Sequence, residues 1–359
     1  MTATAVAHPN IALVKYWGKA DADLALPATG SVSMGLDVFP TTTSVTLTGS
    51  GLGPREPVPD RRGAAGRPSS WGEARDTFRL NGYDIDDGAL VRVERFLDLV
   101  RQLAGSDDRA AVVSENTVPT GAGLASSASG FAALATAASA AYGLDLSERD
   151  LSRLARRGSG SATRSIPGGV SVWHAGDDAA SFAERIAAPP MAMVVVTIDD
   201  GPKPIGSREA MRRTIATSPF YPAWVTSTTE TVEDMLAACA GGDFTRIGEL
   251  TESNALRMHA TIEGAFPPIR YLTARSVAVF DAVAELRAAG LEAYATADAG
   301  PNVVVLCRPE DRSAVATALA SEGSVIESGT GPAARLVGSE GTGTTTRPDE
   351  ETDTVETTA

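Results

Sequence analysis

The stretch that most constrains this chain is PTGAGLASSASGFAALATAASAAYG, residues 119–143. Alanine is the strongest helix former, so the second half reads as a long helix. Its faces carry Ala, Gly and Ser with no charged side. Such a helix has no face suited to water and must lie buried and closely packed between other elements. The first half is a glycine-rich turn, with Pro119, Gly121 and Gly123 ahead of Ser126 and Ser127 in the first helical turn. Free N–H groups and the positive end of the helix dipole make such a start a natural phosphate cradle. The two hydroxyls are placed to add contacts to phosphate or Mg²⁺. It is not a Walker loop, because the G-x-x-x-x-G-K-[ST] lysine is absent, and no G-x-G-x-x-G follows a strand. Read locally, the same residues serve equally well as a tight helix start built for packing.

A chain of 359 residues with 43% hydrophobic side chains is long enough for two cores. Its net charge of −14 argues against nucleic acid and against a polybasic membrane surface. Residues 338–359 are acidic and almost free of apolar residues, so they read as a disordered tail. Without them the body is still near −9. An acidic body that handles anions must build a local positive pocket, so clustered Arg and Lys carry the information. Cys239 and Cys307 have no ligand spacing, and His8, His174 and His259 form no paired-ligand motif, so neither a disulfide framework nor a zinc site is expected. The N-terminus lacks the features of a signal peptide, and no run of about 18 apolar residues appears. A cytoplasmic protein is the expectation.

Strands are expected at NIALVKYW (10–17), TTTSVTLTG (41–49), AAVVSENTVP, GGVSVWHAG, MAMVVVTI (191–198), LEAYATAD, NVVVLC and PAARLVG. FRLNGYDI reads as a hairpin through Asn81-Gly82. Helices are expected at ALVRVERFLDLVRQLAG, at SERDLSRLARRGSG with a Ser N-cap, and through four later segments between residues 207 and 323. Residues 50–76, rich in Gly, Pro and Arg, form a loop insertion. Helices and strands mix without steady alternation, which favours an α+β chain of two domains over a doubly wound sheet.

Three segments combine cations with hydroxyls. ARRGSGSATRS (155–165) gathers Arg156, Arg157 and Arg164 around Ser159 and Ser161. Arginine grips phosphate bidentately. Arg156 and Arg157 end a helix, where cations also simply face water, whereas Arg164 lies in a Gly/Ser turn. VKYWGK offers Lys15, Tyr16 and Lys19; PKPIGSREAM offers Lys203, Ser207 and Arg208. Each alone fits a solvated surface; together they fit a polyanionic substrate. In ATADAGPN, Asp298 is either a turn residue before Gly-Pro or a base held in a site.

NIALVKYWGK, PTGAGLASSASG, ARRGSGSATRSIPGG, GSREAMRRTIATSPFY and ATADAGPN occur in the order seen in diphosphomevalonate decarboxylases, members of the GHMP kinase superfamily. The resemblance spans about residues 5–337, and two of these stretches look most like actinobacterial members. It implies an N-terminal ribosomal-protein-S5-like domain (1–187), a ferredoxin-like C-terminal domain (188–337) and a tail (338–359), with the active site in the cleft. It implies ATP and Mg²⁺, a phosphorylated small-molecule substrate and a homodimer. Residue by residue, it makes Asp298 the catalytic aspartate, with Arg164 and Lys203 beside the reaction. Tyr16, Lys19, Ser159, Ser161, Arg164, Ser207, Arg208 and Met211 surround the substrate, mostly its diphosphate. Ser114, Pro119, Gly121, Gly123, Ser126 and Ser127 lie on the nucleotide side, and Ser127 is the candidate metal ligand. Thr29, Gly30, Gly35 and Pro167 depart from the family pattern. They leave the phosphate-handling residues in place but fall in segments near the substrate, so a reshaped carbon-skeleton pocket is expected.

Overall fold

The Ala-rich segment is as enclosed as its composition demands. In the computed structural model, which describes residues 1–49, 75–117, 126–199, 201 and 205–338, the first two helices are α1 (Gly88–Ala104) and α2 (Ser126–Ala141). Ala128, Ala132, Ala133, Ala135, Ala137 and Ala138 are all fully buried. The insertion at 50–74, the glycine turn at 118–125, residues 202–204 and the tail from 339 lie outside the described residues. α2 packs on the strands Thr2–Ala7 and Thr41–Gly49 of a six-stranded sheet whose order is Arg335–Leu336, Thr2–Ala7, Thr41–Gly49, Arg109–Asn116, Thr77–Leu80, Tyr83–Ile85. All neighbours are antiparallel except Thr77–Leu80 on Arg109–Asn116. The expected hairpin forms at Asn81-Gly82, both with positive φ as a type I′ turn requires. α3 (Glu148–Gly158) starts at Ser147, whose hydroxyl accepts from Asp150 N–H, and packs against α2. Small residues set that approach: a Cβ at Gly158 would sit 2.0 Å from the Phe131 ring.

A second, four-stranded antiparallel sheet runs Ala183–Arg185, Val170–Trp173, Ser31–Gly35, Asn10–Val14. A third runs Ala293–Thr296, Val303–Cys307, Ala192–Thr197, Ser324–Ser328, also antiparallel. α4 (Ser207–Thr217), α5 (Tyr221–Gly241) and α6 (Phe244–Glu263) follow the first strand of the third sheet to enter. One apolar core joins the second and third sheets to α5 and α6 through Leu13, Met34, Val172, Met193, Met235, Phe244, Ile247 and Leu306. α7 (Ala274–Ala288) and α8 (Arg312–Leu319) cover the other face of the third sheet. Among the described residues no helix is long and apolar enough to cross a membrane.

The last described strand returns to the first. Arg335–Leu336 pairs antiparallel with Thr2–Ala7 in the first sheet. On the way, three backbones cross at glycines: Gly35 N–H donates to Gly169 O at 2.8 Å, Gly169 N–H to Gly331 O at 2.9 Å, and Gly331 N–H to Gly35 O at 2.8 Å. A Cβ on Gly331 would meet Leu36 O at 2.0 Å, so only glycine fits that crossing.

Candidate active site

A cavity of about 1520 Å³ opens between the second sheet, α1, the start of α2, the 160–165 turn and α4. Typical ligand pockets are about 300–1,000 Å³, so this one can take two ligands together. Nine lysines and arginines line it against three carboxylates, Asp23, Glu209 and Asp298, in a chain of net charge −14. The local positive pocket expected of an anion-handling acidic body is present.

Lys15 and Asp298 form its centre. Lys15 follows the strand Asn10–Val14, and Asp298 follows Ala293–Thr296. Lys15 Nζ donates to Asp298 Oδ1 at 2.6 Å. The lysine side chain is 2% exposed and the aspartate 30%, so the carboxylate is the member that faces the cavity. Burial pulls the Lys15 pKa down, and the Asp298 charge opposes that pull. Small residues, Ala297, Ala299 and Gly300, flank Asp298 along the chain.

Arg164 lies on the adjoining wall, in a 3₁₀ turn, Gly160–Ser165. Its guanidinium is 3% exposed and is held by neutral groups: Nε donates to Asn10 Oδ1 at 3.2 Å and Nη1 to Ser31 Oγ at 2.6 Å, with Trp173 packed beneath. Asn10 Nδ2 in turn bonds Ser165 Oγ and Ser161 O. Among the described residues no carboxylate is within ion-pair distance of Arg164. Burial lowers its pKa to about 10, which still leaves it charged near neutral pH. A buried, aligned guanidinium held by neutral groups among the described residues, with the Asp298 charge acting only at longer range, is suited to bind an anion.

Tyr16, Lys19, Ser159, Ser161, Ser207, Arg208 and Met211 line the same cavity. The Tyr16 hydroxyl is buried without a hydrogen-bond partner among the described residues, and burial pushes its pKa up, so it stays a neutral donor. Lys19 is partly buried and its pKa is lowered, by burial first and by Arg208 second. Two cations that repel each other are stabilised by an anion between them. Ser207 and Arg208 open α4, whose first N–H groups have no side-chain cap. A chain of hydroxyls, Ser127, Ser159 and Ser161, spans α2 and the turn at 3.4 and 3.2 Å.

Other expected residues fall elsewhere. Pro119, Gly121, Gly123 and Lys203 lie outside the described residues, as does the Ser126 side chain. Ser114 is buried in the first sheet, with its hydroxyl 2.6 Å from that of Thr43, and does not line the cavity. Arg156 neither faces water nor is free for a ligand: it is fully buried, pairs with Asp178 and donates to the carbonyls of Leu24 and Ser181. None of Thr29, Gly30, Gly35 and Pro167 lines the cavity, and Gly35 is occupied by the backbone crossing. Sequence reasoning named Lys15 without a role and missed Asn10, Ser31, Arg92 and Arg95. A lysine ending an apolar strand was the available signal for Lys15; Asn10 and Ser31 act only through a distant arginine.

Helices and antiparallel sheets in this arrangement, around a cation-lined cleft, define the chain as a GHMP-kinase-type α+β protein. Residues 7–52 and 69–183 match the model of the diphosphomevalonate decarboxylase-like N-terminal domain, and 193–339 that of the mevalonate 5-diphosphate decarboxylase C-terminal domain. Diphosphomevalonate decarboxylase mvd1 of Aspergillus fumigatus is 35% identical over 336 residues, 88% of this chain and 78% of its own. The mevalonate diphosphate decarboxylase of Enterococcus faecalis, solved in a study of mevalonate-diphosphate-mediated ATP binding, superposes with a TM-score of 0.83 at 41% identity, covering 94% of this chain and 99% of that one. The chain called MDDEF, solved in complex with MVAPP, AMPPCP and magnesium, gives 0.84 at 42% identity over the same shares. The chain belongs to the diphosphomevalonate decarboxylase family.

Proposed function

We propose that this chain decarboxylates (R)-5-diphosphomevalonate at the expense of ATP, giving isopentenyl diphosphate, CO₂, ADP and phosphate, a step of the mevalonate route to isoprenoids. The observation that carries the reading is the Lys15–Asp298 pair facing the same cavity as Arg164, which has no ion pair among the described residues.

A tertiary hydroxyl is a poor leaving group. In the first step its oxygen attacks the γ-phosphorus, the bond to the β-bridging oxygen breaks, and ADP departs. Asp298 takes or orients the hydroxyl proton, with Lys15 fixing the carboxylate. In the second step the C–O bond breaks and inorganic phosphate leaves with the bonding pair. The adjacent C–C bond to the carboxylate then supplies the electrons of the new alkene, releasing CO₂. Tyr16, Lys19, Ser159, Ser161, Arg164, Ser207 and Arg208 hold the diphosphate away from the reacting carbon, and that remote grip orients the hydroxyl. Met211 adds an apolar contact to the same wall. The ATP phosphates are assigned to the start of α2, with Lys203 near the transferring group and Pro119, Gly121, Gly123, Ser126 and Ser127 around them. Mg²⁺ would supply neutralisation of phosphate charge and needs few protein ligands; the Ser127 hydroxyl, at the cavity wall, would be its protein ligand. The division into 1–187 and 188–337, a homodimer and a cytoplasmic location are proposed on the family resemblance.

The test is incubation with ATP, Mg²⁺ and, separately, mevalonate, its monophosphate and its diphosphate. ADP and CO₂ are expected in equal amounts with the diphosphate alone. ADP without CO₂, or turnover of the monophosphate instead, refutes the reading.

A further inference from the structure

Lys15 and Asp298 lie 283 residues apart, just beyond the ends of strands in different sheets that are not hydrogen-bonded to each other. Something else must set their separation. Helix α6 touches both strands. Asn254 on α6 is fully buried, and its Oδ1 accepts the Lys15 backbone N–H at 2.7 Å, while its Nδ2 donates to Thr228 Oγ1 of α5 at 3.4 Å. Further along α6, His259 is 3% exposed, and its Nε2 lies 3.3 Å from Ala297 O, the carbonyl immediately before Asp298. The helix is seated on the third sheet at Gly248, where a Cβ would sit 2.0 Å from the Tyr294 ring. Asn254 and His259 are five residues apart, about 7.5 Å along one rigid helix.

We propose that α6 is the alignment element of the Lys15–Asp298 pair, with Asn254 and His259 as positioning residues that grip the backbone on either side of the salt bridge. The proposal rests on the catalytic reading of Asp298 given above. The ring of His259 donates through Nε2, and its Nδ1 is buried with no hydrogen-bond partner among the described residues. An apolar side chain would avoid that orphaned acceptor, so packing alone does not explain a histidine here. Burial holds its pKa at about 4, so the ring is neutral and does not repel the Lys15 ammonium; the Ala297 and Asp298 contacts pull the other way, less strongly.

The test compares His259→Leu, His259→Gln and Asn254→Ala with the parent enzyme, reading kcat and KM for both substrates and folding by circular dichroism. A misplacement near 1 Å costs about 10²-fold in rate. His259→Leu and Asn254→Ala are each expected to lose about 10²-fold in kcat, with both KM values within about twofold of the parent. His259→Gln, whose amide N–H can reach the Ala297 carbonyl, recovers most of that loss. A folded His259→Leu with parental kcat overturns the proposal, as does a loss carried by KM or a Gln variant as slow as Leu. Should His259→Leu fail to fold, Asn254→Ala at parental kcat overturns it and reduced kcat with unchanged KM supports it. Asp298→Asn run alongside separates the two readings: if it turns over normally the catalytic role itself fails, whereas an inactive Asp298→Asn beside an active His259→Leu removes only the alignment role.

Discussion

Replacing Asp298 by Asn tests the salt bridge in two currencies, activity and stability. The substitution keeps the shape of the side chain and removes its charge. What it leaves behind is the Lys15 ammonium, 2% exposed. Breaking a buried pair by removing one partner costs about 3–5 kcal/mol. Asp298 is 30% exposed, so water reaches one end of the pair and the low end of that range, about 3 kcal/mol, applies. A second route gives the same size. The ammonium can shed its proton instead, and at pH 8 that costs about 3 kcal/mol for a group whose ordinary pKa is near 10.5. Lys15→Met in the same chain removes the stranded charge while keeping the aliphatic stem, so the double variant should return to within about 1 kcal/mol of the parent. Its activity should stay lost by orders of magnitude. The sign of the pH dependence follows. In Asp298→Asn the folded-state pKa of Lys15 lies below its unfolded value, so the unfolded chain binds more protons and stability rises with pH. The deficit of the single variant should therefore shrink between pH 8 and pH 10. Urea unfolding of the four proteins across that range, with ADP release on each, is the assay. An Asp298→Asn protein as stable as the parent at pH 8, or a double variant no more stable than the single, refutes the reasoning.

Arg164→Ala removes a buried guanidinium of the anion wall and strands Asn10 Oδ1 and Ser31 Oγ; kcat/KM for the diphosphate should fall by about 10²–10³, and Arg164→Lys should not restore it because an ammonium cannot span both partners. Steady-state kinetics with the diphosphate varied decides this, and an unchanged kcat/KM discards the clamp. Gly160→Ala puts a Cβ 2.9 Å from the Tyr16 hydroxyl and 3.0 Å from the Trp173 ring, so the tyrosine must turn. The KM for the diphosphate should rise roughly tenfold with that for ATP unchanged, which titration of each ligand measures.

Much of the architecture was legible because it depends on short-range signals. The Asn81-Gly82 turn, the Ser147 cap and the burial of the Ala-rich helix each follow from the residues concerned. The strands Thr2–Ala7, Ser31–Gly35 and Ser324–Ser328 went unread: they are short, and what holds them is pairing with distant partners rather than local propensity. The site divides the same way. Arginines and serines in a glycine turn announce an anion. The burial of Arg156 against Asp178 has no local trace, and neither does the support of Arg164 by Asn10, 154 residues earlier. Family resemblance supplied the substrate side but drew attention to Gly35, which the fold uses for a backbone crossing.

The return of Arg335–Leu336 to the first sheet bears on how this molecule comes apart. A fragment ending near residue 187 would lack that strand and leave Thr2–Ala7 as an open sheet edge, the kind of surface that recruits other chains. It would also lose the Gly331 leg of the backbone crossing, which bonds to both Gly35 and Gly169. The two halves are thus laced through each other like a belt passed back through its first loop. Heating should melt them in one transition, and separate expression of either half should yield aggregates rather than a domain.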